Sequence, residues 1–425
     1  MTFHLRCARC QATYPGLEQR YRCDCGGTLD VVHDVESFNL RREDFDARRN
    51  SSVPMDRSGV WRFRELILPL GDAALEQSVV TRGEGNTHLY EAHDVGRQVG
   101  ASHLWLKHEG ENPTGSFKDR GMTAGITVAR HLGMSTVACA STGNTSASMA
   151  SYAARSGVKA VVFIPDGKIA YGKLSQALAY GARTIQIQGD FDDAMALVQE
   201  LCETEGIYLL NSVNPFRIEG QKAIGFEIIQ DLGWEVPDWI VLPGGNLGNN
   251  TAMAKGLLEL RERGLIDRLP RMAVIQAAGA NPLYTAWKQK SDVVPMKADT
   301  IATAIKIGAP ISWRKSMRGL HALDGVVTQV SDNEIMDAKA IVDASGIGAE
   351  PASCATVAGL QKLIQEGVIQ PNERVVGVLT GNLLKDPDVV VGYHTGALEG
   401  IDIRRANGPI VAPADIEAIR ALLHN

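Results

Sequence analysis

From about residue 103 onward, short apolar runs alternate with helical patterns, and few folds accommodate that order. β-branched, strand-like runs recur at His103–Lys107, Thr136–Ala140, Lys159–Ile164, Thr184–Gln188, Tyr208–Leu210, Trp239–Leu242, Met272–Gln276 and Arg374–Leu379. Helical patterns lie between them, at Leu174–Tyr180, Phe191–Glu203, Gln221–Gln230 and Thr251–Gly264. Strands joined through helices pair in parallel, because the crossover returns the chain to the same end of the sheet. The alternation therefore predicts an α/β chain of doubly wound parallel sheets. Such sheets bind ligands in the crevice at the carboxyl ends of their strands, so chemistry is expected just after each strand.

Composition limits the partners. The 425 residues carry 43 Lys+Arg against 49 Asp+Glu, a net charge of -6. That argues against a nucleic-acid or membrane-surface protein, because both need a positive excess to hold phosphates. No apolar run reaches the ~18 residues of a membrane helix. The first ten residues carry His4, Arg6 and Arg9 and no apolar segment, so the expectation is a cytoplasmic chain without a secretory leader. Length predicts two or three domains. Glycine is abundant, 43 residues, which implies tight turns or close backbone approaches such as phosphate loops.

Four of the seven cysteines, Cys7, Cys10, Cys23 and Cys25, fall in the first 25 residues, while Cys139, Cys202 and Cys354 are scattered. In a chain without a leader this clustering reads as metal binding before disulfides. Two pairs about a dozen residues apart suit a tetrahedral thiolate zinc site. The single residue between Cys23 and Cys25 is tight for such a knuckle, and a reduced, metal-free ribbon is the alternative. Residues 36–80, with Arg41-Arg42-Glu43-Asp44 and Trp61-Arg62-Phe63-Arg64, read as a linker and a surface helix with aromatic anchors and solvated charge.

Four post-strand segments carry chemistry. Asn112-Pro113-Thr114-Gly115 turns into a helix whose first turn holds Lys118. The positive helix terminus disfavours an ammonium there, which suits an amine that acts as a nucleophile. A solvated lysine paired with Asp119 is the competing view. Ser141-Thr142-Gly143-Asn144-Thr145-Ser146 opens the next helix with groups able to seat a carboxylate or phosphate, or simply to cap it. Pro243-Gly244-Gly245-Asn246-Leu247-Gly248-Asn249-Asn250 is neither a dinucleotide fingerprint nor a nucleoside-triphosphate loop, and a single phosphate is its natural guest. Thr380, after the last strand, places a hydroxyl at the rim, unless it is a buried threonine satisfied by its own backbone. A lysine, two anion seats and a late hydroxyl together fit pyridoxal phosphate.

With these segments in view, the chain resembles the threonine synthases, in the β-family (fold type II) of pyridoxal-phosphate enzymes. The resemblance covers most of the chain. It includes the Cys-rich start, Asp56-Arg57-Ser58-Gly59-Val60-Trp61-Arg62-Phe63 and Gly83-Glu84-Gly85-Asn86-Thr87-His88-Leu89. It continues through Asn112–Gly121, Asn214-Pro215-Phe216-Arg217-Ile218-Glu219-Gly220-Gln221-Lys222 and Thr380-Gly381 with Leu384-Lys385-Asp386-Pro387. It implies two doubly wound parallel-sheet domains with the cofactor in the cleft between them, beside a small Cys-rich ribbon. On that pattern residues 1–35 are the ribbon, 36–113 and 220–425 the large domain, and 114–219 the smaller one.

The resemblance also implies roles. Lys118 matches the Schiff-base lysine, and Asn144 the partner of the pyridoxal 3′-oxygen. Gly244, Gly245, Asn246, Leu247 and Gly248 match the cofactor-phosphate loop, and Thr380 the hydroxyl at the pyridine nitrogen. Ser141, Thr142 and Thr145 match the seat of the substrate carboxylate and part of its phosphate, with Lys173, Ser212 and Arg217 as further phosphate contacts. Cys7, Cys10, Cys23 and Cys25 are the candidate ligands of a structural zinc. His88 departs from the family, which usually has proline there. The implied reaction converts O-phospho-L-homoserine and water to L-threonine and phosphate, and a homodimer is expected by analogy. A serine or threonine dehydratase needs no phosphate cations. Cysteate synthase, which takes phosphoserine, is a closer rival, and a non-catalytic zinc-ribbon binding protein is the alternative of a different class. Because the ribbon precedes the crevice by nearly a hundred residues, activity is expected to survive without metal.

Overall fold

The computed structural model describes residues 3–33, 40–69, 73–166, 171–189 and 191–424. In chain order its strands are β1 (Phe3–Cys7), β2 (Thr13–Pro15), β3 (Leu29–His33), β4 (Leu89–Glu91), β5 (His103–His108), β6 (Thr136–Ala140), β7 (Lys159–Pro165), β8 (Arg183–Ile187), β9 (Tyr208–Leu209), β10 (Trp239–Pro243), β11 (Arg271–Ala277), β12 (Val326–Val330) and β13 (Arg374–Leu379). They form three sheets, ordered β12-β11-β10-β13-β5-β4, β8-β7-β6-β9 and β2-β1-β3.

All pairs in the four-stranded sheet are parallel. So are those of the six-stranded sheet, except where the short edge strand β4 runs antiparallel to β5. The central strand β10 reads Trp-Ile-Val-Leu-Pro and is buried throughout, as a parallel strand covered by helices on both faces must be. The eight runs expected to be strands are strands. The expectation missed β4, β12 and the ribbon strands, which are short or only half buried.

Topology positions the crevice. The chain leaves the large sheet after β5, builds the small sheet, and returns at β10; the late strand β13 then fills the gap between β5 and β10. The carboxyl ends of β5, β13 and β10 are therefore neighbours. Their loops carry Lys118, Thr380 and the glycine segment.

The helix expected at Gln221–Gln230 begins earlier, running Pro215–Asp231. Asn214 caps it, its side-chain oxygen accepting from the Phe216 N–H at 3.0 Å, and Pro215 occupies the first turn. The helix is buried on every side from Pro215 to Gln230, so no apolar stripe marked its first turns. It crosses the helix Lys118–His131 so closely that a Cβ on Gly220 would lie 1.9 Å from the Arg120 carbonyl oxygen.

Residues 61–63 overturn the surface-helix expectation. Trp61, Arg62 and Phe63 are buried, and the Arg62 Nη2 lies 3.1 Å from Glu227 Oε1. Arg120 Nη2 reaches Glu109 Oε1 and Glu227 Oε2 at 2.6 Å each, and Lys107 Nζ stands 3.0 Å from Glu227. This buried charge cluster anchors the residue two places after Lys118.

The ribbon docks on the body rather than standing apart. His33 Nε2 is 2.9 Å from Glu219 Oε2, Lys315 Nζ donates to the Leu29 carbonyl at 2.6 Å, and the Leu209 N–H donates to the Tyr21 hydroxyl at 2.8 Å. Phe3 packs edge-on against Phe216, their centroids 6.3 Å apart.

Candidate active site

Lys118 begins the helix Lys118–His131 directly after the turn from β5. The competing pairing with Asp119 is absent: Asp119 accepts from the Thr114 N–H and hydroxyl at 2.7 and 2.6 Å, and from Ser148 at 2.5 Å. Burial still raises the Asp119 carboxyl, to about 6. The Lys118 ammonium sits 4.0 Å from the centroid of the Phe117 ring. Burial and then the positive charge of Arg217 bring the Lys118 amine down to about 7, with Glu350 opposing them. An amine at that value is substantially neutral near pH 7, as a nucleophile or proton acceptor must be.

Backbone bonds stitch three loops around it. The Phe117 N–H donates to the Thr380 carbonyl at 3.0 Å, Asn382 N–H to Gly115 at 3.0 Å, and Glu350 N–H to Gly381 at 3.0 Å. Thr380 is buried, and its hydroxyl meets Ser353 Oγ at 3.0 Å and Glu350 Oε1 at 3.5 Å, so its partners are side chains rather than its own backbone. Asn144 Nδ2 donates to the same Glu350 carboxylate, 3.1 Å to Oε2. Asn144 and Thr380 thus converge on one buried acid that the sequence reading overlooked, and its charge also bears on Lys118. Its one local signal was Glu350-Pro351, an acid followed by proline at a helix start.

The helix Asn144–Ser156 starts at Gly143 without a side-chain cap, so Ser141, Thr142, Asn144 and Thr145 are not spent as ordinary cap residues. The Ser141 hydroxyl accepts from the Gly143 N–H at 3.2 Å, and Thr142 and Thr145 are half-buried beside it. Ser212 lies half-buried in the turn between β9 and Asn214. Lys173 falls in the first turn of the helix Tyr171–Ala179, and its side chain lies outside the described residues.

The segment Gly244–Gly248 links β10 to the helix Gly248–Glu262. Leu247 takes a left-handed conformation, φ 63°, that turns the chain into the helix. Gly244 is required by packing, since a Cβ would meet Val274 at 2.7 Å. First-turn N–H groups have no intrahelical acceptor, and the helix dipole adds positive potential there. Asn249, part of the glycine segment but given no role of its own from sequence, is buried with both side-chain polar atoms lacking a hydrogen-bond partner. Buried amides rarely stay unsatisfied, and its place beside Gly248 fits a bound anion.

Arg217 is buried on the helix Pro215–Asp231, donates one N–H to the Leu210 carbonyl at 2.9 Å, and leaves Nε without a partner. Glu219 instead serves His33, Lys222 and Lys255. Burial pulls the Arg217 guanidinium down to about 10. At the crevice rim His88 is exposed, its N–H and Nδ1 both on Glu111 Oε2 at 2.7 and 2.8 Å. A proline at this position could not make the first bond.

The four ribbon cysteines come together in space. Cys7 and Cys25 Sγ lie 3.6 Å apart, Cys10 and Cys23 3.4 Å, and all four sulfurs fall within 4.8 Å of one another. The one-residue gap therefore does not separate Cys23 and Cys25 from a common centre.

A family model described as pyridoxal-phosphate dependent enzyme matches residues 80–381. The chain is 44% identical over 421 residues to a threonine synthase of Methanocaldococcus jannaschii, and 46% identical over 422 residues to one of Methanosarcina acetivorans, in each case across 98% of both chains. The crystal structure of threonine synthase from Escherichia coli shares the fold, with a TM-score of 0.71 over 99% of both chains at 19% identity. The chain belongs to the pyridoxal-phosphate dependent enzyme family, and within it to the threonine synthases.

Proposed function

We propose that this protein converts O-phospho-L-homoserine and water to L-threonine and phosphate. The observation that carries this reading is Arg217: a buried guanidinium with no ion-pair carboxylate among the described residues, close enough to Lys118 to depress its amine. A buried cation without a counter-charge is costly, and a phosphorylated substrate supplies that charge.

Lys118, Asn144, Gly244–Gly248 and Thr380 hold pyridoxal phosphate in this reading, which the unsatisfied Asn249 amide beside the glycine loop supports. When bound, the cofactor supplies an electron sink for charge developing on the substrate. Lys118 Nζ, brought down to about 7 and so carrying a substantial neutral fraction near pH 7, takes the substrate Cα proton. Ser141, Thr142 and Thr145 seat the substrate carboxylate and part of its phosphate. Arg217, with Lys173 and Ser212, binds the departing phosphate, and a planar guanidinium suits that dianion through paired hydrogen bonds.

We also divide the chain into a ribbon at 1–35, a large domain at 36–113 and 220–425 and a small domain at 114–219, because β6–β9 form their own sheet. A structural zinc on Cys7, Cys10, Cys23 and Cys25 is proposed from the clustered thiols. A cytoplasmic homodimer that binds no nucleic acid is the assembly proposed, on the family resemblance and the net charge of -6. Among the described residues no helix is long and apolar enough to cross a membrane.

Phosphate release measured with O-phosphohomoserine, and separately with O-phosphoserine plus sulfite, tests the reaction. Release from phosphohomoserine with threonine formed is the expected result. Release only from phosphoserine replaces the reading with a cysteate synthase, and release from neither removes it.

A further inference from the structure

Glu350 stands where three parts of the crevice meet, and the family resemblance gives it no role. It is 1% exposed and lies at the N-cap of the helix Pro351–Gln365, where the positive end of the helix dipole favours a carboxylate. Space for it is made by Gly381: a Cβ there would lie 2.4 Å from the Glu350 carboxyl carbon. The Thr380-Gly381 pair therefore does two things, offering a hydroxyl and clearing room for an acid beside it. Ser353, one turn into the same helix, accepts from the Gly381 N–H at 2.9 Å and bonds the Thr380 hydroxyl at 3.0 Å, so acid and hydroxyl are held by one rigid element.

We propose that Glu350 is a positioning residue for the pyridine ring, setting the hydrogen-bond sense of Asn144 and Thr380 at the two polar edges they meet. This rests on the cofactor assignment given above. An asparagine side chain can present either a donor or an acceptor, and rotation by half a turn exchanges them. A carboxylate only accepts. With Glu350 at 3.1 and 3.4 Å from Asn144 Nδ2, the nitrogen end is fixed toward the acid and its second hydrogen is left for the ring's anionic oxygen. The Thr380 hydroxyl, 3.5 Å from Glu350 Oε1 and 3.0 Å from Ser353 Oγ, is likewise held in place before the ring arrives. The charged groups that bear on the Lys118 amine are Arg217 and Glu350, of opposite sign, so the acid also favours a protonated nitrogen at Lys118.

The test uses the purified full-length protein loaded with pyridoxal phosphate, comparing wild type, Glu350→Gln, Glu350→Asp, Asn144→Ala and the Glu350→Gln/Asn144→Ala double variant. Borohydride trapping on wild-type Lys118 checks the cofactor assignment itself, and failure there discards that assignment independently of Glu350. Given trapping, Glu350→Gln is expected to weaken cofactor binding about 10- to 150-fold, the range for losing a hydrogen bond to a charged group. Its visible absorption band should shift and titrate at lower pH, because a negative charge beside Lys118 is gone. It should lower kcat more than it raises KM, and Glu350→Asp should recover part of each change. The double variant should lose less than the sum of the single losses, because Glu350 acts through Asn144. A Glu350→Gln protein with the wild-type band, titration and cofactor affinity overturns the proposal. So does a Glu350→Gln protein whose melting temperature collapses while its loss adds in full to that of Asn144→Ala, since that pattern marks a purely structural acid.

Discussion

Arg217 and Glu219 stand two residues apart on one helix and do not pair. Glu219 closes on Lys222 and Lys255 and on His33 of the ribbon, while Arg217 turns to the Leu210 carbonyl and the Lys118 side of the crevice. Residues at i and i+2 of a helix point in nearly opposite directions, so the backbone itself forbids the ion pair that their adjacency suggests. The consequence is one acid with three basic partners and one buried guanidinium with no ion-pair carboxylate among the described residues.

Arg217→Ala is expected to lower kcat/KM for phosphohomoserine about 10- to 150-fold, the cost of a lost charge-assisted contact of ~1.5–3 kcal/mol. Lysine should not restore it, because an ammonium cannot make the paired contacts of a guanidinium. The cofactor's absorption should remain, since the proposed reading assigns the cofactor phosphate to the glycine loop and not to Arg217. Steady-state kinetics with a parallel visible spectrum decide the matter. A variant that loses its cofactor would mean that the two phosphate seats have been exchanged.

Lys118 sets a pH profile. In cofactor-free protein its amine is brought to about 7 by burial and Arg217. Recapture of pyridoxal phosphate, which needs the neutral amine, should accelerate as pH rises through about 7 and level off above it. An ordinary lysine would keep accelerating toward ~10.4. Arg217→Ala should move the midpoint upward, and Lys118→Ala should abolish borohydride-stable capture. Stopped-flow absorbance from about pH 5.5 to about pH 9.5 separates the two cases, a plateau above about 7 against a rate still rising at the upper end.

The buried cluster of Glu227 with Arg120, Lys107 and Arg62 predicts acid sensitivity. Burial alone would raise the Glu227 carboxyl, but the three cations hold it well below the usual carboxylate range. A depressed carboxylate stabilises the fold fully above its unfolded value of ~4.3 and loses that contribution as pH falls below it. Glu227→Gln removes the carboxylate that Arg62 pairs with and one of the two that serve Arg120 and Lys107, which keep Glu109 and Asp231, and the change is expected to cost ~3–5 kcal/mol. Urea denaturation at pH 7 should show that loss, and the gap between variant and wild type should narrow as the pH falls below ~4.3.

Zinc analysis of protein purified without chelator should find one ion per chain, and Cys25→Ala should reduce it. The expectation that activity ignores the metal does not follow from the structure. The ribbon seats His33 on Glu219, two residues from Arg217, and Tyr21 on Leu209, one residue before the carbonyl that holds Arg217. Chelation should therefore lower the melting temperature and raise KM for the phosphorylated substrate, with little change in cofactor content. A metal-free protein with wild-type KM would separate the ribbon from the site.

The residue order by itself determined the α/β alternation, the strands that carry the site, the placement of Lys118 in a helix's first turn, and the glycine segment after β10. Each of these depends on a handful of neighbouring residues, through period, turn chemistry and helix starts. Only the tertiary structure decided that β13 lies between β5 and β10, and so brought Thr380 to Lys118. It also decided that Arg62 is buried rather than solvated, that Glu350 meets Asn144 across 206 positions of chain, and that His33 reaches Glu219 across 186. Charged side chains look alike in a sequence whether they face water or a partner. Which one they face depends on contacts made between distant segments, and those exist only once the sheets have closed.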